Sequence, residues 1–397
     1  MHHLERTVTE RPTPLGYEPA LDGIRAVAVT AVVGFHAFGI PRGGFLGVDL
    51  FFVLSGFLIT TILVREHAKT GEIALGRFVQ RRALRLLPAL LTLLALYAAA
   101  VGIKIAVTGT LGHEPVEKAV FGVVAGILYF SNIVTAHHVG AMPGSLVHLW
   151  SLAAEEQFYI FWPISLLVVL RVRPRLLPWL LVTTIAAVAA HRFTLAFSGA
   201  GWSRLYFAPD TRADALLVGC LFGYWRAHRA PAIVARIAAL RWTPMIAAAG
   251  IIALLALSRY QGRFVYEVGM SALLLCCGLL IFAVTVRTGG VSGRVLRLPP
   301  LVYVGRISYS AYLWHVSASD PARGRDGRTD PAPRRAARNP CGRVLIRRRG
   351  AVVSIHRDAL PAPEAKAQPI VSSRRHAGAN RCRGRSGSRC LRAGCAL

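Results

Sequence analysis

Two residues able to do chemistry stand on one apolar stretch, LDGIRAVAVTAVVGFHAFG: Arg25 and, eleven positions on, His36. In a helix that spacing is about three turns and roughly 16 Å of rise, so the two side chains share a face at different depths. A neutral imidazole can take the proton from a hydroxyl as it attacks a carbonyl, the work of a general base. A guanidinium near the end of the segment can hold a phosphate or orient a carbonyl. Each has a plainer alternative: His36 as a hydrogen-bonded packing residue, Arg25 as a helix-end residue snorkelling to headgroups. Their company argues for function. Asp22 lies on the same segment and Asp49 near the start of the next, and an Arg or Asp at the centre of a membrane helix costs about 2.5–3.5 kcal/mol, so such groups tend to mark working sites.

Further charged groups recur along the chain. The run RFVQRRALRLLP carries Arg77, Arg81, Arg82 and Arg85. It is first a topology signal, but Arg81 and Arg85, four apart, also share a helical face that can meet phosphates. In HLWSLAAEEQFYIFWP, His148, Glu155 and Glu156 lie in apolar surroundings; a carboxylate there forms an internal ion pair, with Arg25 or Arg212 as partner, or moves protons and binds hydroxyls. FAPDTRADALLVG sets Asp210, Arg212 and Asp214 at a helix start, where capping and an Arg–Asp pair compete with acceptor binding. Ser55 in VLSGF lacks a G-x-S-x-G elbow and fits a back-bonded helical serine. Tyr309, Tyr312, Trp314 and His315 fit an interfacial aromatic belt. No Walker loop, HExxH or dinucleotide fingerprint stands in a credible setting.

The elements that must position these residues are membrane helices. Hydrophobic residues make up 54% of the chain, and the apolar segments are too long and too many for one water-soluble core. They fall near 21–39, 45–64, 86–107, 118–136, 148–170, 176–197, 212–227, 243–258, 265–286 and 300–317, which predicts about ten helices in an all-α, polytopic transmembrane bundle. Four basic loops, around 65–82, 171–175, 226–236 and 287–297, belong on the cytoplasmic side. If every segment crosses once, the first two fall on opposite faces. One segment between them therefore does not cross, and the polar half of 148–160 is the expected exception.

The net charge of +28 does not indicate nucleic acid. About half of it follows Val316 and the rest sits in short loops between apolar segments, where positive-inside topology puts it. Of the seven cysteines, Cys220, Cys276 and Cys277 are in apolar segments, and Cys341, Cys382, Cys390 and Cys395 lack zinc-ligand spacing, so neither a metal site nor a disulfide framework is read. Residues 1–19 read as a cytoplasmic leader without a cleavage pattern, residues 20–317 as the transmembrane domain, and residues 318–397 as a basic low-complexity, disordered tail. That Arg/Ala/Gly/Pro mixture is what a GC-rich coding region yields out of frame, the reading preferred over a natural lipid-binding tail.

In this order the features resemble membrane acyltransferase family 3, the integral-membrane O-acyltransferases that modify bacterial polysaccharides, lipids and some antibiotics. The resemblance rests on Arg25 with His36, the run Gly44 to Phe52 with Ser55-Gly56, Arg81, Arg82, Arg85 and Pro88, HLWSLAAEEQFY at His148 to Tyr159, and YSAYLWH at Tyr309 to His315. It implies a multi-pass protein of the cytoplasmic membrane that moves an acyl group, acetyl foremost, from acyl-CoA to a hydroxyl of a glycan, glycolipid or secondary metabolite. His36 would be the base with Arg25 tied to it, and Glu156 the more important of the two glutamates. Arg25, Arg81, Arg82 and Arg85 would hold the coenzyme A; Asp49, His148, Trp150, Ser151, Asp210 and Arg212 would bind the acceptor. No metal is expected. A transporter whose polar residues line a substrate path, or a non-catalytic remnant lacking its final helices, is the alternative.

Overall fold

The computed structural model describes residues 16–111, 114–287, 289–318, 346–348 and 351–353. The chain falls into two units, Met1–Asp330 and Pro331–Leu397. In the second, the described residues form a two-stranded antiparallel ribbon, β1 (Ile346–Arg348) and β2 (Ala351–Val353). Apart from this ribbon, the tail from Ser319 on, expected to be disordered, lies outside the described residues, as does the leader before Gly16.

The regular structure described in the first unit is all helical. In order its helices are α1 (Pro19–Phe38), α2 (Gly47–Thr70), α3 (Leu75–Thr108), α4 (Val116–Ile127), α5 (Ser131–His137), α6 (Leu149–Val172), α7 (Leu177–Phe197), α8 (Trp202–Phe207), α9 (Pro209–Ala227), α10 (Ala232–Ala239), α11 (Thr243–Leu257), α12 (Met270–Val286), α13 (Val291–Leu296), α14 (Pro299–Arg306) and α15 (Ser308–Ala318). The protein is a multi-pass, all-α membrane bundle. Large apolar side chains such as Leu84, Phe161, Trp179 and Ile246 remain exposed on its flanks, as residues facing lipid do.

Six of these helices are long and apolar enough to cross a bilayer, and the pair α10–α11, bent by 83°, makes a seventh if it is one span. The expected ten is not reached, for three local reasons. The 118–136 segment breaks between α4 and α5 at Tyr129, whose φ of 55° no helix continues through; Gln157 donates to the Tyr129 carbonyl at 2.7 Å and holds the break. The 300–317 segment divides at Ile307 into two short helices. Helix α9 is long enough but carries Asp210, Arg212 and Asp214 in its first two turns. The segment at 148–160, expected to interrupt its own span, is instead part of one unbroken helix, α6. Its polar residues turn inward, so the exception falls at 128–130.

A close crossing joins α2 and α9 through glycine. A Cβ on Gly56 would lie 2.0 Å from the Leu216 carbonyl oxygen, and one on Gly219 would lie 2.1 Å from that of Val53. Only hydrogen side chains permit backbones to approach so closely. Trp162 of α6 then donates to Thr60 of α2 at 2.9 Å, and Asn132 of α5 exchanges two hydrogen bonds with Gln157 of α6 at 3.0 and 3.1 Å. Helix α2 is thereby held between α9 and α6, which fixes Ser55 opposite Glu155. Gly219→Leu should lower stability by more than the about 1–3 kcal/mol typical of overpacking, whereas Gly76→Ala, with open space around it, should not. Thermal unfolding in detergent reads the difference.

Candidate active site

One open cavity collects side chains from five helices, with about 720 Å³ of empty space when the solvent at its mouth is included. Arg25 of α1 and Arg82 and Arg85 of α3 give it three guanidiniums; Ser55 of α2, Ser151, Glu155 and Tyr159 of α6, and Tyr309 and Tyr312 of α15 complete the polar wall. Glu155 is the carboxylate among them. Its Oε1 accepts from Ser55 at 3.0 Å and its Oε2 from Tyr159 at 2.7 Å, while the Arg82 guanidinium lies 4.5 Å above the Tyr159 ring. Arg25 is ion-paired with Asp22 at 2.6 Å. The second Asp22 oxygen accepts from the Tyr17 hydroxyl at 2.8 Å, which in turn accepts from Arg306 at 2.9 and 3.1 Å. Arg82 and Arg85 make no ion pair among the described residues.

The histidines gather beyond the wall formed by Ser151 and Tyr312. His36 is exposed near the C-terminal end of α1, and its Nδ1 bonds the Val32 carbonyl at 2.9 Å. Its ring centre lies 4.9 Å from that of His315, which is 5.5 Å from His148. The Nε2 of His148 bonds the Leu313 carbonyl at 3.0 Å. Tyr312 links cluster to cavity: its hydroxyl donates to the His148 carbonyl at 3.0 Å and sits 2.6 Å from the Ser151 hydroxyl, and its ring centre is 5.3 Å from that of His315. His36 does not line the cavity. Arg25 lines the cavity, while His36, three turns on along α1, lies with the histidine cluster.

Several residues expected in the site lie elsewhere. Asp49 and Arg212 form a fully buried ion pair at 2.9 Å, with the guanidinium 4.8 Å from the Tyr206 ring and 5.6 Å from that of Trp150. Asp49, Arg212 and Trp150 are thus packed together, outside the cavity lining. Asp210 is exposed and paired with Arg204 and His191. Arg81 is exposed and does not line the cavity, whose α3 face carries Arg82 and Arg85, three apart. Glu156, partly buried beside Glu155, does not line it either. The ion pair foreseen between a glutamate and Arg25 or Arg212 does not form, because both arginines have aspartate partners. Ser151 lines the cavity, and His148 belongs to the histidine cluster just beyond it.

Sequence reading named both glutamates but ranked Glu156 above Glu155, gave Tyr159 no role, and took Tyr309, Tyr312 and His315 for a belt, whereas Glu155, Tyr159, Tyr309 and Tyr312 line the cavity. It also passed over Arg192, fully buried in α7, which pairs with Asp214 at 2.6 Å and donates to Ser271 at 2.8 Å. The signal for Arg192 was available: an arginine inside an apolar helix requires an anion. Among the described residues, no group of three or more His, Cys, Asp or Glu is arranged to hold a metal.

A family model described as an acyltransferase domain matches residues 18–322, from the Glu18 N-cap of α1 to just beyond α15. The chain belongs to that acyltransferase family. It is 34% identical over 317 residues to the peptidoglycan O-acetyltransferase OatA of Listeria monocytogenes, covering 75% of this chain and 49% of that protein. To the O-acetyltransferase OatA of Staphylococcus aureus it is 32% identical over 314 residues, covering 75% and 50%. A putative O-acetyltransferase of Staphylococcus aureus is 33% identical over 319 residues. This acyltransferase therefore spans about half the length of the curated relatives it matches. No solved structure matches it.

The buried Asp49–Arg212 pair and the exposed Asp210 cluster should separate on mutation. Removing one partner of a buried pair costs about 3–5 kcal/mol, so Asp49→Ala should sharply lower the unfolding midpoint in detergent. Asp210→Asn, at an exposed ion pair worth about 0–1 kcal/mol, should leave it nearly unchanged.

Proposed function

We propose that this acyltransferase transfers an acyl group, acetyl foremost, from acyl-CoA to a hydroxyl of a glycan at the cytoplasmic membrane of a bacterium. The observation that carries the reading is the convergence of Arg25, Arg82 and Arg85 in one cavity whose far wall, Ser151 and Tyr312, touches the histidine cluster. Three cations in an open recess suit the phosphates of coenzyme A, since charge-assisted bonds from guanidinium to phosphate are among the strongest available. The polar loops are short, and the relatives named for peptidoglycan O-acetylation make a glycan strand the first acceptor to test.

In the reaction, the acceptor oxygen attacks the thioester carbonyl, its O–H proton passes to His36, a C–O bond forms and the C–S bond breaks. The departing thiolate then takes the proton. His36 is oriented for this: a carbonyl oxygen only accepts hydrogen bonds, so Nδ1 facing Val32 carries the hydrogen and Nε2 keeps the lone pair. Arg25 is held by Asp22 at the cavity wall, where it positions the donor with Arg82 and Arg85. Glu155 holds Ser55 and Tyr159 in place along the cavity, and Glu156 beside it contributes to the proton path. Because Asp49, Trp150 and Arg212 are packed against one another, the acceptor is better served by Ser151 and His148.

His36→Ala should cut transfer of label from radiolabelled acetyl-CoA into glycan by about 10²- to 10⁴-fold, the share of a general base. The double variant Arg82→Met/Arg85→Met should instead raise the KM for acetyl-CoA by about tenfold or more, as loss of a charged hydrogen bond worth about 1.5–3 kcal/mol requires. Equal labelling by wild type and His36→Ala would rule out this assignment of the base.

A further inference from the structure

His36 has a peculiarity for a general base: among the described residues no carboxylate pairs with it. An imidazole that takes a proton becomes a cation, and beside an apolar bundle a cation without a charged partner is costly. In hydrolases of the Ser-His-Asp type an acid beside the imidazole answers that cost. Here the neighbour is another imidazole. The His315 ring centre lies 4.9 Å from that of His36, and its Nδ1 bonds the Tyr312 carbonyl.

The same reasoning on tautomers applies to both rings. A carbonyl cannot donate, so Nδ1 of His315 carries the hydrogen and its Nε2 is a lone pair. That Nε2 is buried and makes no hydrogen bond among the described residues, although buried polar atoms nearly always find a partner. His315 is only 9% exposed. The groups facing it are His36 from α1, His148 ahead of α6, and Tyr312 from its own helix. All are uncharged when neutral, so none neutralises a proton on His36.

We propose that His315 is a positioning residue for the transfer step, its Nε2 sharing with His36 the proton taken from the acceptor hydroxyl until the leaving thiolate removes it. This rests on His36 being the base. The balance is unchanged: one acceptor O–H and one thioester C–S bond break, one C–O and one S–H bond form, and the proton resides meanwhile on the imidazole pair. Tyr312 has a part in this, because its carbonyl sets the His315 tautomer while its hydroxyl meets Ser151 in the cavity wall.

The test is steady-state transfer from acetyl-CoA to a soluble fragment of peptidoglycan glycan, using the full chain in detergent, for wild type, His36→Ala, His315→Phe, His315→Gln and His315→Ala. Phenylalanine keeps the ring volume and glutamine keeps polarity, so agreement between them excludes a folding artefact. The expected result is a fall in kcat of about 100-fold, the lower part of the range for proton-transfer groups, with KM for acetyl-CoA unchanged. Added imidazole should restore His315→Ala, which has room for it, and not His315→Phe. Wild-type kcat in His315→Phe and His315→Gln, with His36→Ala inactive, overturns the proposal and leaves His36 as the base. A raised KM at constant kcat also overturns it, by making His315 a packing residue of the donor cavity. Equal rates in wild type and His36→Ala remove both.

Discussion

A charge enclosed in a membrane bundle must be paired or wetted, and the arrangement of this protein follows from which solution each arginine takes. Arg192 and Arg212 are paired, with Asp214 and Asp49, at 2.6 and 2.9 Å and almost without exposure. Removing either partner leaves a buried charge alone, so these pairs tie α7, α9 and α2 together. Arg82 and Arg85 take the other solution and open onto a cavity. Arg25 does both: it is paired with Asp22 and still lines the recess. The arginines thus differ in partners and in access to the cavity, although their residue type and hydropathic setting are the same.

The division of the site follows from one helix. Arg25 and His36 are about 16 Å apart along α1 by helical rise, so the group that suits phosphate and the group that suits proton transfer work at different depths. Between them stand Ser151 and Tyr312, hydroxyl to hydroxyl at 2.6 Å. On the proposed reading, a donor with its phosphates among the arginines would extend its acyl end toward this junction. The glycine contact of α2 with α9 is what lets α2 sit close enough to present Ser55 to Glu155.

Much of this was legible in the sequence. Helix α1 with its Arg25 and His36, the inward-turned HLWSLAAEEQ, and the cationic start of α3 all stand in the text of the chain, because hydropathy and the price of intramembrane charge are local properties. What was hidden depends on rotation about helix axes and on tertiary partners. Spacing alone offered Arg81 with Arg85, but the cavity face of α3 holds Arg82 with Arg85. Glu155 and Glu156 differ by 100° around α6, and only packing against Ser55 and Tyr159 selects the first. Asp49 and Trp150 read as site residues because they are polar or aromatic in a membrane, yet Arg212 lies beside both. The breaks at Tyr129 and Ile307 carry no proline or glycine at the break itself, so hydropathy merged each broken pair into one span.

The central claim is that the arginine-lined cavity holds the acyl donor. It is tested most directly by equilibrium binding of acetyl-CoA to the purified full chain in detergent, compared with Arg82→Met/Arg85→Met and with Asp49→Asn. Saturable binding to the wild type and to Asp49→Asn, lost in the double arginine variant, is the expected result. Binding that survives removal of both arginines, or no binding of acetyl-CoA to a folded wild-type chain, would contradict it.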